Sequence, residues 1–93
     1  MTFKITMTKE LSFMLENLSK RNRQLGMEIR KKMEQICALD EVSIDHFKNL
    51  KHGLSDWKRV HVGKSFILFF TVYKKEGIVL FQKLAHHDDA YRR

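Results

Sequence analysis

Two histidines, an arginine and a lysine in the C-terminal half of the chain are the residues best suited to chemistry: His61, His87, Arg59 and Lys83. RNA is cut without a metal ion when a base takes the proton of the 2′-OH, cations stabilise the phosphorane, and an acid protonates the leaving 5′-oxygen. Histidine, with an ordinary pKa of about 6.5, can serve as either the acid or the base at neutral pH. We therefore assign His87 as the general acid and His61 as the general base or a phosphate ligand.

Arg59 and Lys83 would supply the electrostatic stabilisation, which is often the largest contribution to catalysis. Tyr91 could stack on a base or donate a hydrogen bond to it. More ordinary explanations stay open for the same residues. His61 could simply end a strand in contact with solvent, and surface lysines usually serve only to solvate a fold.

Nothing in the sequence indicates a metal or nucleotide cofactor. The single cysteine, Cys37, excludes an intrachain disulfide and cannot begin a paired-cysteine zinc site. The histidines lack metal-ligand spacing, and no phosphate-binding glycine loop or nucleophilic triad is visible. We expect neither a metal nor a cofactor, and we expect Cys37 to be a small core residue of a helix.

The length, composition and charge of the chain predict one basic, globular domain over residues 1–93. The chain is 43% hydrophobic and 31% charged, without proline or a repetitive linker, which excludes a disordered tail and a multi-domain enzyme. The formal net charge of +7 favours nucleic acid, the ribosome, an anionic membrane or an acidic protein as partner. No run approaches the roughly 18 apolar residues that span a bilayer, so we predict a soluble cytoplasmic protein that does not enter a membrane.

Apolar residues in the N-terminal half recur with the period of a strand and then with the period of a helix, and these patterns predict its elements. Residues 2–7 alternate apolar and polar side chains, which predicts a short strand. Thr8 suits a helix N-cap, and apolar residues follow it at helical spacing, so a first helix covers about residues 8–20. After a basic elbow, a second apolar stripe predicts a second helix that forms a hairpin with the first. This stripe consists of Leu25, Ile29, Met33 and Ile36.

The sequence pattern of the C-terminal half predicts a meander of three strands. Residues 42–56 are irregular and are assigned to a loop with one helical turn around residues 44–50. Strands follow over Trp57–Val62, Phe66–Tyr73 and Ile78–Leu84, separated by Gly63-Lys64 and by a loop over residues 74–77. The order β-α-α-β-β-β predicts an α+β fold in which the two-helix hairpin packs on one face of a small antiparallel sheet.

The turn lengths decide which side chains share a face of the sheet. A two-residue turn places His61 opposite Phe66, and a four-residue loop places Leu68 opposite Lys83. The face under the helices then collects Val60, Val62, Ile67, Phe69, Ile78, Leu80 and Leu84. The uncovered face collects Arg59, His61, Lys83 and His87 beside Phe66, Leu68, Phe70 and Phe81. Cations and histidines beside aromatic rings indicate an RNA site, in which His61 should lie near His86 and His87.

Two segments resemble the RelE/ParE superfamily of type II toxins. They are residues 50–70, LKHGLSDWKRVHVGKSFILFF, and the ending LAHHDDAY over residues 84–91. The order of elements agrees across nearly the whole chain. Many members carry arginines at the positions held here by Ile67 and His87. In its departure from these arginines the chain is similar to the YafQ branch. It is also similar to that branch in having a His-Val pair that is followed by an aromatic residue and then by Ile and Leu.

The resemblance implies a ribosome-dependent mRNA endonuclease that cuts codons in the A site of the 70S ribosome. His61 and His87 match catalytic histidines of the branch, and Tyr91 matches its terminal aromatic residue. An Asp of the branch's site falls at Ser65, and a further His falls near Lys48, with His52 as its substitute. The residues expected to bind RNA or phosphate are Lys48, Lys51, His52, Lys58, Lys64, Ser65, His86, Arg92 and Arg93.

The resemblance also implies a partner, an antitoxin encoded beside the toxin. A small acidic antitoxin, with a helical or extended binding segment, would neutralise the net charge of +7. It would also cover the aromatic stripe of the uncovered face, which consists of Phe66, Leu68, Phe70 and Phe81.

Two other functions remain open at this point. The gyrase-directed ParE branch shares the fold, and in an inhibitor of DNA gyrase the histidines would be incidental. A non-catalytic member would bind RNA through its basic face or would only dock a partner through its aromatic residues.

Overall fold

The computed structural model describes residues 2–49 and 56–90, and the strands and helices in these residues follow the predicted order. The strands are β1 (Lys4–Met7), β2 (Lys58–Val62), β3 (Phe66–Tyr73) and β4 (Ile78–His86). The helices are α1 (Lys9–Arg21), α2 (Arg23–Cys37) and the single turn α3 (His87–Ala90), with a 3-10 helix over Ser43–His46. Within this described part of the chain, no helix combines the length and the apolar character needed to cross a membrane.

Asn22 joins α1 to α2 and satisfies an end of each helix. Its amide donates to the Leu18 carbonyl at 2.8 Å, and its side-chain Oδ1 accepts from the Leu25 amide at 3.1 Å. Gly26 lets the two helices approach closely, because a Cβ at this position would lie 2.3 Å from Oγ of Ser19. The hairpin is therefore fixed by one side-chain cap and by a close approach at Gly26, where a larger residue would force Ser19 to relax.

Thr8 both caps α1 and attaches it to the sheet. Its Oγ1 accepts from the Leu11 amide at 3.2 Å, which confirms the predicted N-cap. The same hydroxyl donates to the Gln82 carbonyl at 3.1 Å, and the Thr8 amide donates to the Phe81 carbonyl at 3.2 Å. The first turn of α1 is thus held directly against β4.

The hairpin buries its apolar stripe against one face of the sheet. The stripe of α2 is confirmed, since Ile29, Met33 and Ile36 are buried and Leu25 is partly buried. Cys37 is buried in the same cluster, and this burial raises the pKa of its thiol to about 11. The sheet contributes Val62, Leu68, Phe70, Val79, Phe81 and Leu84 to the cluster.

The strand order is β1-β4-β3-β2, which makes the sheet mixed rather than antiparallel. Strands β2, β3 and β4 pair antiparallel as the predicted meander, but β1 pairs parallel with β4, with Lys4 opposite Ile78. The expectation of a purely antiparallel sheet is therefore wrong. Alternation in residues 2–7 identifies a strand but does not specify its partner, because the helical hairpin lies between β1 and the meander.

The segment after α2 is fixed by two aspartates. Oδ1 of Asp40 accepts from the Ser43 amide at 2.7 Å and the Val42 amide at 3.0 Å, and these hydrogen bonds, led by that from Ser43, lower the pKa of Asp40. Oδ2 of Asp45 lies 2.6 Å from Nζ of Lys74, and this hydrogen bond lowers the pKa of Asp45. The 3-10 helix falls inside the loop predicted over residues 42–56 and is tied to the loop between β3 and β4.

The turn between β2 and β3 contains three residues, not two. Val62 pairs with Phe66, and Gly63 begins the turn with a φ of +61°, a conformation that favours glycine. His61 consequently pairs with Ile67, and its predicted pairing with Phe66 is wrong. The extra turn residue moves every β3 side chain to the other face relative to β2.

A bulge shifts β3 relative to β4 by one residue as well. The four-residue loop before β4 gives the predicted pairing at that end, but the register changes between Phe69 and Phe70. Gln82 is the extra residue of β4, and Lys83 pairs with Phe69 instead of Leu68. Turn length and bulge position depend on packing across the sheet, which periodicity alone does not reveal.

These two shifts invert β3 and the first half of β4, so the predicted aromatic stripe of the uncovered face is wrong. Phe66, Leu68, Phe70 and Phe81 lie on the covered face, and the last three have no exposed surface. Residues predicted to lie under the helices occupy the opposite face instead: Ile67, Phe69, Ile78 and Leu80. Strand β2 and the second half of β4 keep their predicted faces, because the two shifts cancel between them.

Replacement of Phe70 by alanine tests this register. Its buried ring lies 5.4 Å from that of Phe47 and 5.7 Å from that of Phe81, so Phe70→Ala should lower the free energy of unfolding by about 3–5 kcal/mol. Phe13→Ala is the matched control, because Phe13 is 69% exposed and its loss should change that free energy by less than about 0.5 kcal/mol. Urea denaturation measures both, and equal effects would contradict the register.

Candidate functional site

The face of the sheet opposite α1 and α2, called the outer face below, carries three of the predicted catalytic residues. Arg59, His61 and Lys83 share this face because the displacement of β3 leaves the alignment of β2 with β4 unchanged. Two adjacent rows across β2, β3 and β4 define it: Arg59, Phe69 and Lys83 in one row, and His61, Ile67 and Ala85 in the next. His61 and Lys83 are exposed, and Arg59 is partly exposed.

His87 is brought beside His61 by the change from β4 to α3. The His87 amide donates to the Ser65 carbonyl, which fixes the start of α3 over the turn between β2 and β3. The rings of His61 and His87 then lie 5.6 Å apart between centroids, at an interplanar angle of 31°. The structure therefore brings together the two histidines that were chosen as acid and base, although their chemical roles stay a prediction.

His86 lies beside Phe66, at the edge of the covered face. The two rings are 5.5 Å apart and nearly perpendicular. Nδ1 of His86 accepts a hydrogen bond from the Asp88 amide at 3.3 Å, which ties the imidazole to the first turn of α3. The Asp88 carboxylate approaches Nδ1 of both His86 and His87 at 3.9 Å, which is beyond hydrogen-bond distance.

The centre of the outer face is an apolar floor formed by Ile67, Phe69 and Ala85. These side chains are 0%, 7% and 7% exposed. Trp57, the residue directly before β2, packs against the floor, with its ring 6.0 Å from that of Phe69. Trp57 is not among the residues predicted for the site, although its spacing of two residues from Arg59 is a signal that places both on one face.

Lys58 belongs to the core side of β2, and its assignment as an RNA-binding residue is wrong. It is only 9% exposed, and its Nζ donates to the Phe47 carbonyl at 3.0 Å and to Oδ1 of Asn49 at 2.6 Å. Alternation along β2 explains this placement, since neighbours of Arg59 must point to the other face. The ammonium group of Lys58 instead anchors the segment after the 3-10 helix to the sheet.

The remaining predicted RNA-binding residues fall into two groups. Lys48 and Lys64 are exposed, and Ser65 is partly buried in the turn beside His87. Five predicted residues lie outside the described part of the chain: Lys51, His52, Tyr91, Arg92 and Arg93. Over residues 2–49 and 56–90, no three His, Cys, Asp or Glu side chains gather in a way that could hold a metal ion.

Comparison with known proteins identifies the family. A Methanocaldococcus jannaschii protein named "Putative toxin RelE4" is 41% identical over 91 residues, which cover 98% of this chain and 93% of that protein. No model of a protein family matches the chain. With this identity over nearly its whole length, the chain belongs to the RelE family of toxins.

Solved structures share the same arrangement of elements. Escherichia coli toxin RelE, solved as a mutant in complex with a peptide of antitoxin RelBc, superimposes with a TM-score of 0.66 at 14% identity, covering 100% of this chain and 98% of that one. YafQ from E. coli gives a TM-score of 0.62 at 12% identity, covering 97% and 99%. These likenesses confirm the RelE-like fold, while placement in the YafQ branch stays a prediction.

Replacement of Lys58 by methionine distinguishes a structural lysine from an RNA-binding one. Because Lys58→Met keeps the length of the side chain but removes two hydrogen bonds of the ammonium group, it should lower the free energy of unfolding by about 1–3 kcal/mol. Lys64→Met, at an exposed turn position, should change it by less than about 0.5 kcal/mol. Thermal and urea unfolding compare the two variants, and unchanged stability of Lys58→Met would refute the anchoring role.

Proposed function

We propose that this chain is the toxin of a type II toxin-antitoxin system and that it cleaves translated mRNA on the ribosome as an endoribonuclease. The observation that carries the proposal is the pairing of His61 and His87, whose rings lie 5.6 Å apart on a face that also bears Arg59 and Lys83. Membership in the RelE family of toxins supports the same function.

The two histidines are close enough to reach atoms of one phosphodiester. In the proposed reaction His61 takes the proton of the 2′-OH, the 2′-oxygen attacks phosphorus, and His87 gives a proton to the departing 5′-oxygen. The P–O5′ bond breaks as the P–O2′ bond forms, which leaves a 2′,3′-cyclic phosphate and a 5′-OH. Neither proton transfer requires a metal ion or a cofactor.

The cations flanking the apolar floor supply the charge stabilisation in this mechanism. Arg59 and Lys83 both pair with Phe69, so they stand on either side of one floor residue and one row away from His61. Negative charge builds up on the phosphorane, and a cation held above an apolar surface stabilises it more than a cation in bulk water. Both side chains are long enough to reach a phosphate that lies over His61.

The proposed partners are the ribosome, its A-site mRNA and an acidic antitoxin. E. coli RelE, which shares the fold, was solved with a peptide of its antitoxin. In this chain the antitoxin would cover the cations of the outer face, since the aromatic stripe predicted for that contact lies on the face that the helices cover. Neutralising Arg59 and Lys83 would also block the phosphate site, which links binding of the antitoxin to inhibition.

Cleavage on programmed ribosomes tests the proposed reaction. His61→Ala and His87→Ala should each reduce the rate of mRNA cleavage by about 10²- to 10⁴-fold, because each removes one proton-transfer group. His46→Ala is the matched control, since His46 is an exposed histidine of the 3-10 helix and its loss should leave the rate unchanged. The rate is measured by primer extension on mRNA bound to 70S ribosomes.

Absence of cleavage by the wild-type chain would refute the endoribonuclease. A different target would be assigned by two results together. Growth would arrest without new mRNA ends, and the purified chain would abolish DNA supercoiling by gyrase. Full activity of His87→Ala would refute its role as the acid.

Salt dependence tests the electrostatic part of antitoxin binding. The protein encoded by a small acidic reading frame beside the toxin gene should bind with a Kd that rises steeply between about 0.1 M and about 1 M salt, because exposed charges are screened over that range. Lys83→Glu should weaken binding at low salt, while Lys75→Glu, in the loop between β3 and β4, should weaken it less. Isothermal titration calorimetry measures both, and a Kd independent of salt would contradict charge neutralisation.

A further inference from the structure

Among the aromatic residues that the structure describes on the outer face, Trp57 combines a packed position with partial exposure to solvent. Its ring lies 6.0 Å from that of Phe69, at an angle of 44°, and it closes one end of the apolar floor. Phe69 itself is 7% exposed, so Trp57 presents the accessible ring of the pair. The partly exposed side chain of Trp57 is therefore held in place directly before β2.

The surroundings of this ring are cationic. Phe69 pairs across the sheet with Arg59 on one side and with Lys83 on the other, and Trp57 packs on the same residue. An aromatic ring beside basic side chains fits single-stranded nucleic acid, whose bases stack on the ring while the phosphates contact the cations. The net charge of +7 agrees with this ligand better than with a neutral apolar peptide.

The distance from Trp57 to His61 indicates which nucleotide of a bound RNA would stack on Trp57. Trp57 directly precedes β2 and lies four residues before His61, which corresponds to about 13 Å at the rise of an extended chain. Stacked nucleotides advance about 3.4 Å each along a strand, so this distance corresponds to about four stacked nucleotides, or fewer if the strand is extended. A base on Trp57 would thus lie a few positions from the scissile nucleotide.

We propose that Trp57, supported by Phe69, is a base-stacking subsite for single-stranded RNA and holds a nucleotide a few positions from the scissile phosphate. The subsite rests on the proposed function for the location of that phosphate. Arg59, which lies between Trp57 and His61 on β2, contacts the backbone between the two positions. Stacking of this kind tolerates any base, so the subsite adds affinity and register more than sequence preference.

The sole tryptophan of the chain makes the subsite directly measurable. The probe is a 2′-O-methyl RNA oligonucleotide of mixed sequence, which His61 and His87 cannot cleave because its 2′-oxygens carry no proton. Saturable quenching of tryptophan emission in the wild-type chain, with the same Kd as that from anisotropy of a labelled oligonucleotide, is the expected result. This measurement needs no variant and therefore does not depend on the folding of one.

Matched variants separate stacking from general loss of aromatic surface. Trp57→Leu should weaken oligonucleotide binding by about five- to 150-fold, the range found when one base loses its aromatic partner, and Trp57→Phe should restore most of the affinity. Phe13→Leu, which removes an exposed ring from α1, should leave the Kd and the quenching unchanged. Circular dichroism at the assay temperature confirms that each variant is folded.

Three results would overturn the subsite: RNA binding without a change in emission, equal affinity of Trp57→Leu and wild type, or no binding of RNA to the wild type. Equal quenching by an acidic peptide such as polyglutamate would overturn it in favour of a protein-docking site. The ribosome cleavage assay tests the endoribonuclease independently of the Trp57 measurements. Cleavage without a response of Trp57 refutes the subsite alone, and a response of Trp57 without cleavage refutes the endoribonuclease alone.

Discussion

The pairing register of β3 is the constraint on which both the core and the outer face depend. A three-residue turn that begins at Gly63 and a bulge at Gln82 each displace β3 by one residue. Together they turn Leu68 and Phe70 toward the helices and Ile67 and Phe69 toward the outer face. Either displacement alone would misalign β2 with β4 and separate Arg59 and Lys83 onto opposite faces. The two irregularities are therefore features that the site requires.

The same turn also positions the second histidine. Because Ser65 is its third residue, its carbonyl is available to accept from the His87 amide, and this hydrogen bond starts α3 directly beside His61. A two-residue turn would draw Ser65 into the strand ladder and remove that acceptor. The geometry of the histidine pair thus follows from backbone hydrogen bonds at a turn, which fix position more firmly than contacts between exposed side chains.

Periodicity was sufficient to predict the elements of this fold, including the N-cap at Thr8 and the apolar stripe of α2. It was not sufficient for register, because a turn of two or three residues fits the same alternation and a bulge leaves no pattern of its own. Arg59, His61 and Lys83 were placed together correctly because the two errors cancelled between β2 and β4. The predicted faces of the β3 residues are wrong, because only one of the two register shifts separates β3 from each neighbouring strand. The charge of Lys58 suggests an RNA contact, but strand alternation places Lys58 on the face opposite Arg59, and the same alternation places Trp57 on the face of Arg59.

Ile67 shows why the charges of the site lie on the flanking strands. The resemblance to the RelE/ParE superfamily predicts an arginine at this position, yet the side chain is apolar, fully buried and paired with His61 and Ala85. An apolar residue under the histidines lowers the local dielectric constant, which strengthens the effect of any nearby cation. Arg59 and Lys83 stand one row away, about 7 Å along their strands, and this distance is within the reach of their long side chains. The proposed site thus has an apolar floor with cations on both sides in place of a central cation, and aromatic surface beside those cations would suit the proposed stacking of RNA.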